Sequence, residues 1–333
     1  MPSLLRRRET ALAIIVAVLV IAIAVRAPVF LSAGSLDTLV TDGAILSIMA
    51  LAQLLALITR GIDLSVAANM ALTGMITALV SHACPDLPIA VTLAAALGIG
   101  LALGGINAVM IAYLEMPPIV VTLGTMSIYR GLVFAISGGA WVNAHELGPG
   151  FVAFPNERLL GLTHIVWIAA IIIALEYIFF HHLRRGRELY ALGGNAAAAQ
   201  YVGIDAARVK LVVYLGTGAL AGLSGYLWVA RYAVAYTETA LGFEMQTIAA
   251  CVIGGVSIAG GRGTVVGCLV GTAFLVVIFN ALPIIDVSPF WQMAISGVSI
   301  LAAVIVNSRA ERRRGKRILA PAAPAAPRGG RPC

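Results

Sequence analysis

The chain has 333 residues, 60% of them hydrophobic and only 11% charged, with a formal net charge of +7. Soluble domains carry roughly 25% charged residues, so this composition excludes an ordinary soluble protein. A spanning helix needs about 20 apolar residues; the length therefore holds roughly ten spans and leaves no room for a separate enzyme domain of about 100–150 residues.

In chain order, Arg6, Arg7 and Arg8 precede a first apolar run, Ala11–Val25. Arg26 stands where signal-peptide cleavage would need a small residue, and further spans follow. The run therefore reads as an uncleaved first helix. The later runs are Leu39–Thr59, Ser65–His82, Pro88–Tyr113, Pro118–Ile136, Gly161–Phe180, Leu211–Ala230, Glu244–Ala259, Thr264–Leu282 and Pro289–Val306. Glu244–Ala259 is short and interrupted by glycine. The pattern predicts an all-α integral membrane protein of about ten spans.

Threaded from inside, ten crossings leave both termini cytoplasmic. Of the 22 Lys and Arg, 18 then fall inside; Arg26, Arg130, Arg158 and Arg231 lie on or near the outer side. Basic residues are held back on the cytoplasmic side, so the positive charge reads as membrane orientation rather than nucleic-acid binding. Spans two to five begin outside and spans seven to ten inside, which leaves an inverted repeat topologically open.

Two connections stand out: an outer stretch over 138–160 and the longest inner one, 181–210. In the inner stretch Asn195 suits a helix N-cap and Gly203 a C-terminal stop. The helix between them, Ala196–Val202, is too short to be stable alone in water. Ala198, Tyr201 and Val202 share one face of it. It reads either as a solvated loop or as a piece that needs a partner surface. The membrane domain is placed at 1–308. Residues 309–333 form a basic, Pro- and Ala-rich tail that reads as disordered.

Chemistry-bearing motifs are few. Gly222-Leu223-Ser224-Gly225 matches the G-x-S-G of rhomboid-type serine proteases, but every histidine (His82, His145, His164, His181, His182) precedes it, and a serine nucleophile needs a base within reach. Gly255–Arg262 has the glycines of a phosphate loop without its Lys-Ser/Thr pair, and reads as a tight turn. The four cysteines show no C-x-x-C spacing, so no metal site is expected. Glu176 and Glu244 lie near the ends of spans rather than at their centres, which argues against proton-coupled transport.

Uncharged polar residues are more plentiful: Gln53, Asn69, Asn107, Thr122, Thr125, Tyr129, Gln246, Thr247, Asn280 and Gln292 lie on or near spans. Each alone is an ordinary helix–helix hydrogen bond. Together they suit a path for a hydroxyl-rich neutral solute. Trp228 and Trp291 can stack on a sugar face or belong to an interfacial belt. Gly100/Gly104, Gly218/Gly222 and Gly263/Gly267/Gly271 form small-residue faces of the kind that pack helices closely in lipid.

Four segments, in order between about Asp37 and Asn307, resemble the ribose-type ABC importer permeases: Arg60-Gly-Ile-Asp-Leu-Ser-Val66, Pro117-Pro-Ile-Val-Val-Thr-Leu-Gly-Thr-Met126, Gly193-Gly-Asn-Ala-Ala-Ala-Ala-Gln-Tyr-Val-Gly-Ile204, and Ile248-Ala-Ala-Cys-Val-Ile-Gly-Gly-Val-Ser-Ile-Ala-Gly-Gly-Arg-Gly263. Within that group, Ser137-Gly-Gly-Ala-Trp-Val-Asn143 and the stretch Ala281–Met293 are most similar to rhamnose permeases, with autoinducer-sugar permeases second. The resemblance implies a non-enzymatic permease subunit in a bacterial inner membrane. It implies a second permease subunit, identical or homologous, a periplasmic sugar-binding protein, and a cytoplasmic ATPase that holds ATP and magnesium. It assigns Asn195, Ala198, Tyr201, Val202 and Gly203 to the ATPase contact. The path candidates are Gln53, Asn69, Asn107, Thr122, Thr125, Trp228, Gln246 and Asn280. A secondary transporter of a neutral solute and a membrane enzyme using Ser224 are the rival readings.

Overall fold

The structure, a computed structural model, describes residues 2–284 and, beyond them, 291, 294, 295, 297, 298 and 301. Most of the expected tenth span, Pro289–Val306, lies outside the described residues, as do Gln292 and the tail 309–333.

Among the described residues, eight helices are long and apolar enough to cross a membrane. They are α1 (Pro2–Arg26), α2 (Ala33–Ile58), α3 (Val66–Ala83), α4 (Ile89–Ala112), α5 (Pro118–Ser137), α7 (His164–His182), α10 (Ala206–Tyr232) and α12 (Val265–Ile284). Short helices fill the connections: α6 (Pro149–Asn156), α8 (Arg184–Gly194), α9 (Ala196–Tyr201) and α11 (Phe243–Ile253). The pair β1 (Arg158–Leu159) and β2 (Leu162–Thr163) makes a two-residue hairpin. The bundle thus has two ends, one marked by α6 and the other by α8 and α9.

Local chemistry sets the helix starts. Ser32 caps α2 by accepting from the Ser35 amide, Asp205 caps α10 through Arg208, and Pro118 opens α5 where no amide donor is needed. Gly138, at φ +60°, ends α5 in the left-handed conformation that glycine takes freely. Two helices start earlier than hydropathy suggests, α2 at Ala33 and α10 at Ala206. Their first turns hold polar residues that a hydropathy window discounts but a capped helix tolerates.

α2 and α10 form the centre of the bundle. The half of α2 from Ala44 to Ile58 is buried almost throughout. α10 packs on α3 and α4, while α2 packs on α11 and α12. The glycine faces make close packing possible: a Cβ on Gly218 or Gly222 of α10 would strike the backbone of Gly100 or Gly104 of α4. Gly254, beyond α11, meets Gly267 of α12 in the same way.

α11 departs from a regular span. Its 11 residues cover about 16 Å, roughly half of a hydrocarbon core. Yet α10 ends at the α6 end and α12 starts at the α8 end, so the chain must return between them. It does so with α11 and a non-helical run through Gly254–Thr264, whose Gly261 amide donates to Ile58 at the far end of α2 (2.8 Å). The expected run Glu244–Ala259 is therefore a broken crossing, interrupted at Gly254 and Gly255.

The candidate transport path and coupling surface

At the α6 end a cavity of about 800 Å³ opens between α2, α10, α11 and α12, within the size range of about 300–1,000 Å³ of small-molecule sites. Trp228, Tyr232, Tyr236, Phe243 and Phe279 supply aromatic walls; Thr38, Asp42, Glu238, Gln246 and Asn280 supply polar atoms. Trp228 is set edge-on to Phe243, with ring centres 5.1 Å apart. Asp42 is held by Arg231 at 3.4 Å. Asn280 donates its amide to Val276 at 3.0 Å, which leaves its carbonyl oxygen for another partner. Three of the eight expected path residues, Trp228, Gln246 and Asn280, thus line one cavity. The carboxylates and tyrosines around them carry no sequence signal, because hydropathy scores a lone Asp42 as part of a helix end.

The other five lie elsewhere. Asn107 donates to Ser65 Oγ (2.8 Å) and accepts from Thr125 (2.8 Å). Ser65 in turn donates to Asp63 (2.6 Å), which also accepts from Thr217 of α10 (3.0 Å). Thr122 donates to the Ile62 carbonyl (3.0 Å), and Asn69 reaches the Gly100 carbonyl (3.3 Å). All are buried. Their polar atoms are spent tying α3, α4, α5 and α10 together around the turn 59–65. Gln53 is fully buried and neither of its amide atoms has a partner.

Glu176, six residues before the end of α7, is buried within the protein. It sits in the face of α7 that contains Ile165, Ala169 and Ile172, and both carboxyl oxygens lack a hydrogen-bond partner. Ser224 is also buried with an unpartnered hydroxyl, so no histidine reaches it and the serine-nucleophile reading lacks its base. Arg130, inside α5, donates to the Thr239 carbonyl at 2.6 Å. The Gly255–Arg262 segment is a tight turn, with Gly255, Gly260 and Gly261 all at positive φ.

At the α8 end the expected short helix is present as α9. Asn195 caps it by accepting from the Ala198 amide (3.1 Å), and Gly203 (φ +79°) follows its end. The helix stops at Tyr201, one residue before the expected Val202. Tyr201 and Val202 are 92% and 76% exposed, Ala198 is exposed as well, and Ala199 faces the protein. Beside it lies α8, which the sequence reading missed. Its signal was available: Gly186, Leu189, Leu192 and Gly193 recur at helical spacing and are buried. Glu188 pairs with Arg184 and Arg185 at 3.1 and 3.2 Å, as residues one turn apart do.

A bundle of helices long and apolar enough to cross a membrane, with a polar cavity at one end and an exposed short helix at the other, defines an all-α integral membrane protein. Residues 35–304 match the family described as branched-chain amino acid transport system / permease component, and the chain belongs to that family. It is 36% identical to the ribose import permease protein RbsC of Escherichia coli K12 over 294 residues, 88% of this chain and 91% of the relative. A probable ABC transporter permease, y4mJ of Sinorhizobium fredii, is 34% identical over 93% of this chain and 92% of its own. The autoinducer 2 import system permease protein LsrC of E. coli is 31% identical over 84% of this chain and 81% of its own. No solved structure matches.

Proposed function

We propose that this chain is the membrane-spanning permease subunit of an ATP-driven importer of a monosaccharide, rhamnose or a related sugar. The cavity at the α6 end carries this reading. Its aromatic walls offer apolar faces to a sugar ring, Asp42 and Glu238 accept hydroxyl protons, and Gln246 and Asn280 complete the polar lining. Two of the relatives are named for ribose and autoinducer 2 import, which supports a sugar as cargo. In this reading the α6 end faces the periplasm and a binding protein. The α8 end faces the cytoplasm, and α9 docks its Tyr201 face on a separate ATPase. A second permease subunit, identical or homologous, completes the path.

The test is uptake into vesicles that contain the permease, its ATPase and its binding protein. Labelled rhamnose, ribose and other sugars are offered with and without ATP. The expected result is ATP-dependent entry of one sugar class, reduced in Trp228→Ala. Entry through the permease alone, without the ATPase, overturns the reading.

One observation favours the rival secondary transporter: Glu176 is a buried carboxyl without a partner, the kind of group that proton paths use. Glu176→Gln and Glu244→Gln should leave ATP-driven uptake largely intact. Loss of uptake in Glu176→Gln, with normal protein in the membrane, favours proton coupling.

A further inference from the structure

At the α8 end three segments far apart in sequence meet backbone to backbone. The Arg60 guanidinium donates from Nε to the Gly193 carbonyl (2.7 Å) and from Nη2 to the Gly194 carbonyl (2.8 Å). These are the last carbonyls of α8, which have no partner within their helix and lie at its negative end, where a cation is favoured. Gly261 donates to Ile58, the last residue of α2 (2.8 Å). A Cβ on Gly193 would strike Ile58 and Gly261, one on Gly261 would strike Gly194, and one on Gly260 would strike the Arg60 side chain. Arg60 itself has φ +63°, a conformation that costs a non-glycine residue energy and persists only where its surroundings hold it. Tyr190 of α8 adds a fourth tie, donating to the Gly263 carbonyl at 2.9 Å.

We infer that Arg60, the Gly193–Gly194 pair and the Gly260–Gly261 turn form a rigid linkage through which movement of α9 reaches the helix bundle, with Arg60 as its positioning residue. This rests on the reading of α9 as the ATPase contact. Only Asn195 separates α8 from α9. A displacement of α9 therefore pulls on Gly193 and Gly194, and these cannot shift without moving Ile58, Arg60 and Gly261. Gly193 and Gly194 meet Gly261 backbone to backbone, and the side chain between Gly260 and the end of α8 is that of Arg60, fixed at both carbonyls. From Arg60 the path continues along the same turn: Ile62 is tied to α5, Asp63 to α10 and Ser65 to α4 by the hydrogen bonds given above. A merely static staple would make the same contacts but would leave the ratio of sugar moved to ATP hydrolysed unchanged when weakened.

The experiment compares Arg60→Gln, Arg60→Lys and Tyr201→Asp in the purified permease–ATPase complex in vesicles with binding protein and sugar. Arg60→Gln should still co-purify with the ATPase and hydrolyse ATP. Its uptake per ATP should fall about tenfold, within the usual span of coupling energies. Arg60→Lys, which keeps the charge but not the fork of two donors, should fall between. Uptake per ATP equal to that of the parent in Arg60→Gln overturns the linkage. Tyr201→Asp separates the two claims. If it assembles and transports normally, the α9 contact itself is wrong. If it dissociates while Arg60→Gln stays fully coupled, only the linkage is wrong. A second measurement needs no weakened variant. Spin labels at Ala197 and Arg262, with Cys84 and Cys333 changed to Ser, should keep one separation with and without ATP. A change in that distance on ATP binding also overturns the linkage.

Discussion

Asp63 accepts from the Ser65 amide and hydroxyl and from the Thr217 hydroxyl, and every member of the set is buried. Removing the carboxylate strands those donors, and an unsatisfied buried donor costs roughly 1–3 kcal/mol. Asp63→Ala should therefore lower the melting temperature of the purified protein, and Asp63→Asn should do so less. Glu146 gives a test by pH. Its carboxylate accepts from the Asn143 amide (2.8 Å) and side chain (3.1 Å), and the backbone bond first, then the side-chain bond, hold its pKa below the usual value. A depressed carboxylate contributes above the unfolded pKa and ceases to contribute as pH falls through the folded one. The protection of the amides over 143–146, taken relative to their intrinsic exchange at each pH, should fall as the pH drops through the acid range. In Glu146→Gln that protection should already be reduced at neutral pH and lose its acid dependence.

At the scale of elements, the α4–α10 contact is the one most sensitive to side-chain size. Gly100, Gly104, Gly218 and Gly222 bring two backbones together where any Cβ would strike a carbonyl or an α-carbon. Gly218→Val should destabilise the bundle by about 1–3 kcal/mol or more and reduce the folded yield in membranes. Gly98→Val, on the facing helix α4 but with open space around it, should be neutral apart from helix propensity; equal losses in the two variants would show that packing is not the cause. The sequence spacing identified these faces as close-packing surfaces, and three- and four-residue periodicity was enough for that. Which face met which was not legible. In lipid, apolar helices gain nothing by hiding from water, so pairing depends on steric fit and polar ties, and those join residues as distant as Asn69 and Gly218.

For the whole molecule, the charge distribution and the packing make a joint prediction. Reporter fusions at Gly150, in α6, should read outside, and fusions at Ala197, in α9, should read inside. The same side for both would break the topology, since α6 and α9 flank the single long span α7. The sequence by itself determined an all-α membrane protein, the order of the eight long apolar helices among the described residues, the Asn195 cap and the glycine faces. All of these follow from local composition, from hydropathy over about 20 residues, or from helical period. Only the tertiary structure decided that Asn69, Asn107, Thr122 and Thr125 tie helices together while Trp228, Gln246 and Asn280 line a cavity. It alone placed the Arg60 guanidinium on the carbonyls of Gly193, 133 residues away. The physical reason is that a buried polar group takes whichever partner the packed neighbours bring within about 3 Å, and that choice is made between segments, not within them.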